Sequence, residues 1–269
     1  MRHSAPALRL TSLQAPNADP FCSRLAWYLG NALGRPVHFV DDEPWQVRER
    51  LFDDGAVDVA WMCGLPYARR RDRQPPTVEL LVAPVMAQAR YEGCPVYFTD
   101  VVVRADSSVN ALPDLRGTRW AYNEPSSHSG YWLPRYELGR AGHVSGFFGT
   151  VVEAGSHEAA LGLLLRGEID GTALDSTVLE ALGDERPELM QEVRIIVTWG
   201  PSPIPPWVVA THVDDATRQL LRNALTSMHL DPVGREVLGD VETTRFAEVE
   251  DADYDSIRRM AREAEGVKL

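Results

Sequence analysis

Short apolar runs alternate with amphipathic stretches along nearly the whole chain, and no other feature limits its fold as much. Strand-length runs occur at 9–13, 37–40, 57–62, 78–85, 96–103, 118–122, 151–152, 169–174, 193–198 and 207–211. The run at 57–62 is continuously apolar, as in a strand buried on both faces. Helical spacing appears between many of these runs. Asp19 reads as an N-cap with Pro20 at the first helical position, followed by Phe21, Leu25, Tyr28 and Leu29 on one face and a stop at Gly30 or Gly34. Further helices are expected at 44–52, from about 130 to 139, after a Ser156 cap, and at 176–182, 215–227, 232–238 and 253–265. A tight turn is expected at Gly64. Strand–helix alternation of this kind predicts an α/β architecture with mostly parallel sheets.

The chain has 269 residues, enough for one large domain or two small ones. Two stretches read as crossings between lobes: the strand 96–104 and the rigid, proline-rich run 200–206. They predict one lobe from 1–99 with 200–269, and a second from 100–199. The acid-rich stretch 248–255 reads as solvated surface. With 27 basic and 39 acidic residues the net charge is −12. That balance, without a basic block, argues against nucleic acid or an anionic membrane as partner. No apolar run approaches the ~20 residues of a bilayer span. Residues 1–13 lack a continuous apolar core, so no leader is read there. The expected location is periplasmic or membrane-associated if a leader has been removed, and cytoplasmic otherwise. Cys22, Cys63 and Cys94 form no CxxC and no zinc spacing, and read as small buried hydrophobes. No metal or cofactor is implied.

Four segments carry candidate chemistry. Between a strand and a helix lies Asn123-Glu-Pro-Ser-Ser-His-Ser-Gly-Tyr131, which gathers Ser126, Ser127, His128 and Ser129 where a helix begins. Unpaired N–H groups and the helix dipole make such a start an anion site, and hydroxyls add donors without charge. A helix cap needs one such hydroxyl; three are present. In Ala154-Gly-Ser-His157, Ser156 reads as a cap and His157 as a donor in the first turn. Asp175 lies at another strand end, where it either caps the next helix or touches a ligand. Trp61 ends the apolar run 57–62, at the kind of strand terminus where open α/β sheets bind ligands, although packing explains it better. HExxH, the phosphate-loop motif and Gly-x-Ser-x-Gly are absent.

Together these pieces resemble the phosphate/phosphonate-binding substrate receptors of ABC transporters. The matching residues are Val57-Asp-Val-Ala-Trp61, Asp114-Leu-Arg-Gly117, Asn123 through Tyr131, Ala154-Gly-Ser-His157, Ala160-Leu161 with Gly167-Glu-Ile-Asp170, and Trp199-Gly-Pro-Ser-Pro203. They run in family order over roughly residues 55 to 210. The resemblance implies the type 2 periplasmic-binding-protein fold: two α/β lobes, a two-strand hinge and an interlobe ligand cleft. It also implies that Ser127, His128 and Ser129 hold the oxygens of a small phosphorus oxyanion, with His157 alongside. The family often carries Thr or Gln where this chain has His128. Its aminophosphonate receptors hold the ligand amine with acids, and the region 203–206 lacks one. The expected function is therefore a substrate-binding protein for phosphonate, phosphate or phosphite, serving an ABC transporter or acting as a sensor, monomeric and without catalysis. The alternative is a cytoplasmic enzyme of cofactor biosynthesis on the same fold, with His128 or His157 as general acid or base. A third reading, an interaction module without a ligand, conflicts with the retention of Ser127, His128, Ser129 and His157 together.

Overall fold

The computed structural model describes residues 6–269. In chain order the strands are β1 (Leu8–Ser12), β2 (Val37–Phe39), β3 (Val59–Trp61), β4 (Val78–Met86), β5 (Val96–Arg104), β6 (Arg119–Tyr122), β7 (Thr150–Glu153), β8 (Gly171–Asp175), β9 (Val193–Pro203), β10 (Trp207–Ala210) and β11 (Thr243–Ala247). They form two sheets, ordered β11-β4-β10-β3-β1-β2 and β7-β6-β8-β5-β9. The chain divides into two compact units. One runs to Val96 and resumes over Pro203–Tyr254; the other comprises Tyr97–Ser202 and Asp255–Leu269. The divisions within the chain fall near the start of β5, at the end of β9 and between Tyr254 and Asp255.

In the first unit β1 pairs in parallel with β2 and β3, in register Leu10↔Phe39 and Leu10↔Val59. β10 then runs antiparallel to β3 and β4, and β11 antiparallel to β4. The sheets are therefore more mixed than the alternation predicts, because strands that follow the second crossing enter from the opposite direction. The helix Asp19–Leu33 buries Phe21, Cys22, Leu25, Ala26 and Leu29 on one stripe, against Leu10, Val59, Val82, Trp207 and Leu225. Gly34, at φ 61°, ends it and returns its N–H to the last carbonyls. Asp19 is not the cap: that position is Ala18. Both carboxylate oxygens of Asp19 instead accept from Arg48, at 2.8 and 2.7 Å. At 63–64 the chain does not simply turn, for Gly64–Arg71 is a helix whose apolar face was masked by three consecutive arginines. β11 was likewise missed, since Thr-Thr-Arg interrupts its apolar character.

In the second unit alternate residues of each strand separate two cores. Val101, Val103, Trp120 and Ala173 face Leu133, Leu138 and Phe147 on one side of the sheet. Val102, Ala121 and Leu174 face Leu161, Leu164 and Leu179 on the other. The C-terminal residues 255–269 correct the predicted division, for they belong to this unit. Ile257, Ala261 and Ala264 of the helix Asp255–Ala264 are buried. The buried Arg135 donates through Nε to the Val267 carbonyl at 2.6 Å and through Nη2 to that of Glu265 at 3.0 Å. Its guanidinium lies 4.9 Å from the Tyr131 ring centre and 4.3 Å from that of Trp132. These contacts outweigh the proximity in sequence of 255–269 to the first unit.

Three smaller expectations are also revised. The proline-rich run is strand as far as Pro203, within β9. The acidic stretch is not all solvated: Tyr254 is buried and donates to the Ile204 carbonyl at 3.0 Å. Of the cysteines only Cys22 is buried; Cys63 is half-buried and Cys94 exposed.

Candidate functional site

The second unit brings three helix starts to the C-terminal ends of β6, β7 and β8. β6 is parallel to both β7 and β8, so these ends lie on one side of the sheet, where α/β sheets place ligands. The Tyr122 carbonyl accepts from Ala154 N at 2.8 Å and the Asn123 carbonyl from Gly155 N at 2.7 Å. These bonds continue the β6–β7 pairing and hold the two following loops side by side.

After β6 the chain passes through 123–127 into a wide π-type turn, His128–Trp132, which leads into the helix Leu133–Arg140. The N–H of Trp132 bonds the Ser127 carbonyl at 3.1 Å, and its indole N–H donates to the Pro125 carbonyl at 2.8 Å. Ser127 is the cap: extended at φ −66°, ψ 128°, it accepts from Gly130 N at 3.1 Å. Its hydroxyl hydrogen remains free to be donated. Ser126 donates to Glu124 Oε1 at 2.8 Å, so its hydroxyl hydrogen is held within the loop by a side-chain carboxylate. Ser127, His128 and Ser129 are all buried.

Ser129 Oγ lies 3.1 Å from His157 Nε2, and Asn123 Nδ2 lies 3.3 Å from the same nitrogen. His157 opens the helix His157–Leu165, capped by Ser156, which accepts from Ala159 N at 3.0 Å. The loop and the second helix start thus meet through one imidazole. His128 Nε2 faces Ser202 Oγ of β9 at 3.1 Å. Burial pushes both imidazoles down to about 4, with the Ala173 carbonyl opposing it at His157. Both rings are therefore neutral near pH 7. Asn123 Oδ1 and His128 Nδ1 are buried without a hydrogen-bond partner.

Asp175 ends β8 and caps the helix Ser176–Glu185, its Oδ1 accepting from Thr177 N at 2.8 Å and Thr177 Oγ1 at 2.7 Å. Burial raises its carboxyl to about 6 against those two bonds. Trp61 belongs to the first unit. Its indole donates to the Pro205 carbonyl at 3.0 Å and its ring stacks on Trp207 at 5.5 Å, so its polar atom is committed to packing.

Sequence reasoning missed Asn123, Gly130 and Ser202 as parts of this arrangement. Asn123 and Gly130 flank the hydroxyl cluster, but only the fold shows that they touch. Ser202 arrives from 74 residues away within the matching segment Trp199–Pro203, whose sequence alone does not say which side chain it meets.

The second unit thus gathers neutral donors at paired helix starts. Residues 18–254 match the family described as ABC transporter, phosphonate, periplasmic substrate-binding protein, and the chain belongs to that family. It is 27% identical over 221 residues to the phosphonates-binding periplasmic protein of Escherichia coli (strain K12), covering 79% of this chain and 63% of that relative's length. It is 21% identical over 229 residues to the probable ABC transporter phosphite binding protein PhnD1 of Prochlorococcus marinus (strain MIT 9301), covering 79% and 73%. Among solved structures, a binding protein component of an ABC phosphonate transporter from Pseudomonas aeruginosa superposes with TM-score 0.85 at 19% identity, covering 97% of this chain and 87% of that one. PhnD1 of Prochlorococcus marinus in complex with methylphosphonate gives 0.84 at 18% identity, covering 97% and 99%. The fold is thus the two-lobed type 2 periplasmic-binding-protein fold. Among the described residues no helix is long and apolar enough to cross a membrane.

Proposed function

We propose that this chain binds a small phosphorus oxyanion, a phosphonate, phosphate or phosphite, through the loop Ser127, His128 and Ser129 with His157, and delivers it to an ABC-transporter permease. The observation that carries this reading is the meeting of Ser129 and Asn123 on His157 Nε2, which joins the hydroxyl loop to a second helix start. Hydroxyl and backbone donors at a helix N-terminus stabilise an anion without a paired cation, and each hydrogen bond to a charged oxygen contributes about 1.5–3 kcal/mol. The local field outweighs the net charge of −12 because it acts at hydrogen-bond distance, whereas distant surface charges are screened. Family membership supports the transporter role and a periplasmic location, and the protein acts as a single chain.

Family membership supports binding without turnover. Ser129 and His157 have the separation of a nucleophile and its base, but among the described residues the imidazole's side-chain partners are Ser129 and Asn123, not a carboxylate. Asp175 is occupied as a cap. The test is native mass spectrometry of gently purified protein, followed by recovery of the ligand. A bound phosphorus oxyanion returned unchanged supports the reading. A converted product, or a larger co-purified organic molecule, favours a cytoplasmic enzyme on this fold.

A further inference from the structure

The proposed site contains an imidazole where a hydroxyl would serve to donate a hydrogen bond. His128 is 1% exposed and sits between Ser127 and Ser129. One ring nitrogen, Nε2, meets Ser202 Oγ at 3.1 Å, and Ser202 is itself 1% exposed. The other, Nδ1, is buried without a partner. A neutral imidazole presents one N–H and one lone pair, and its partner decides which nitrogen holds which. A serine hydroxyl fits either case, since it donates and accepts by rotating.

We propose that the His128–Ser202 pair is a tautomer-switched donor and acceptor that lets this loop take a phosphorus oxyanion in either its singly or its doubly ionised form. When Ser202 donates to Nε2, the ring proton is on Nδ1 and is offered to a P–O⁻ oxygen. When Nε2–H donates to Ser202, the Nδ1 lone pair accepts from a P–O–H group. No net proton is gained or lost by the pair in either arrangement. A loop holding only fixed donors would reject the protonated form, whose hydrogen would be left without an acceptor. The inference rests on the proposed phosphorus-oxyanion function.

Without ligand the imidazole is neutral, because burial depresses its basicity to about 4. The titratable and charged groups on the surrounding elements include Glu124 in the preceding loop, Tyr131 in the turn, Arg135, Tyr136, Glu137 and Arg140 on the following helix, Tyr97, Asp100 and Arg104 on β5, Arg194 on β9, His157 and Asp175. The Arg258–Asp255 pair belongs to the helix Asp255–Ala264, which also packs near the turn. None of these is among the causes that shift His128.

The experiment is calorimetric titration with methylphosphonate at the pH where the free ligand is half singly and half doubly ionised. Repetition in buffers of different ionisation enthalpy gives the protons exchanged on binding. A site specific for one form takes up or releases about half a proton per ligand, and a site that takes both exchanges close to none. The expected result is near-zero exchange in the unaltered protein and release of about half a proton in His128→Leu, which removes the Nδ1 acceptor. Exchange of half a proton by the unaltered protein, or no change in His128→Leu, overturns the proposal. Should His128→Leu fail to fold, nitrogen chemical shifts of His128 in the unaltered complex decide. The protonated nitrogen is expected to swap between the two sides of the ligand's titration, and a single tautomer throughout overturns the switch. No binding of methylphosphonate, phosphate or phosphite overturns the functional reading and this inference with it. Binding with the wrong proton count overturns the switch alone.

Discussion

Asn123 Oδ1 stands where a side chain on Gly130 would begin: a Cβ built on Gly130 would lie 2.0 Å from that oxygen and 3.2 Å from His157 Cε1. The glycine of the loop is therefore set by close approach, not by a left-handed backbone. Gly130→Ala displaces both the Asn123 amide and the imidazole that it contacts. We expect about 1–3 kcal/mol of destabilisation from this overpacking, together with at least tenfold weaker methylphosphonate binding. Denaturant unfolding and calorimetry on the same preparation check it. Unchanged stability and affinity would show that the contact has no structural role.

Ser127 and Ser129 separate capping from binding. Ser127 accepts from Gly130 N, so Ser127→Ala loses about 1 kcal/mol of stability as well as a ligand donor. Ser129 faces His157 and caps nothing, and Asn123 still meets that imidazole in Ser129→Ala, which therefore weakens binding with a smaller stability loss than Ser127→Ala. Equal stability losses in the two variants would contradict the assignment of the cap.

The two imidazoles and Asp175 oppose each other in pH dependence. Both histidines fall from the ordinary 6.5 to about 4, so the unfolded chain binds more protons there; their stabilisation is complete above pH 6.5 and lost as pH falls towards 4. Asp175 rises from 3.8 to about 6, so its contribution is complete below 3.8 and lost as pH rises through 6. Two groups outweigh one, and stability is expected to fall as pH is lowered from 6.5 to 4. Asp175→Asn removes the opposing group, and the fall becomes steeper. Unfolding measured at half-unit steps of pH tests this; a flat profile in both proteins would contradict the burial of the histidines.

The fold was legible where periodicity is strong. Phe21, Leu25 and Leu29 mark one helix, and alternation along 96–103 separates the two faces of β5. What escaped depends on contacts distant in sequence. The assignment of 255–269 is decided by Arg135, which reaches over 130 residues to the Val267 and Glu265 carbonyls. Asp19 looks like a cap by position, but Arg48 offers its carboxylate two charge-assisted bonds. In the site, the serines and histidines stand out because hydroxyls and imidazoles cluster at helix starts. The pairing of His128 with Ser202 and the wedge of Asn123 against Gly130 arise only when three strand ends are brought together.

The same Arg135 yields a prediction about the C-terminal segment. Arg135→Ala removes two hydrogen bonds to backbone carbonyls and the packing against Tyr131 and Trp132. A loss of about 2–4 kcal/mol is expected from the charged hydrogen bonds and the stacking. Hydrogen exchange is expected to quicken first in residues 255–267. Protection there that is unchanged would show that Ile257, Ala261 and Ala264 hold the helix without the arginine.

The central claim is that the hydroxyl loop of the second unit binds the anion. The most direct measurement is calorimetric titration of phosphate, phosphite and methylphosphonate into the unaltered protein and into the Ser127→Ala, Ser129→Ala double variant. Micromolar or tighter binding of at least one oxyanion, weakened by a hundredfold or more in the double variant, is predicted at about 1.4 kcal/mol per tenfold. Equal affinity in the two proteins would contradict it.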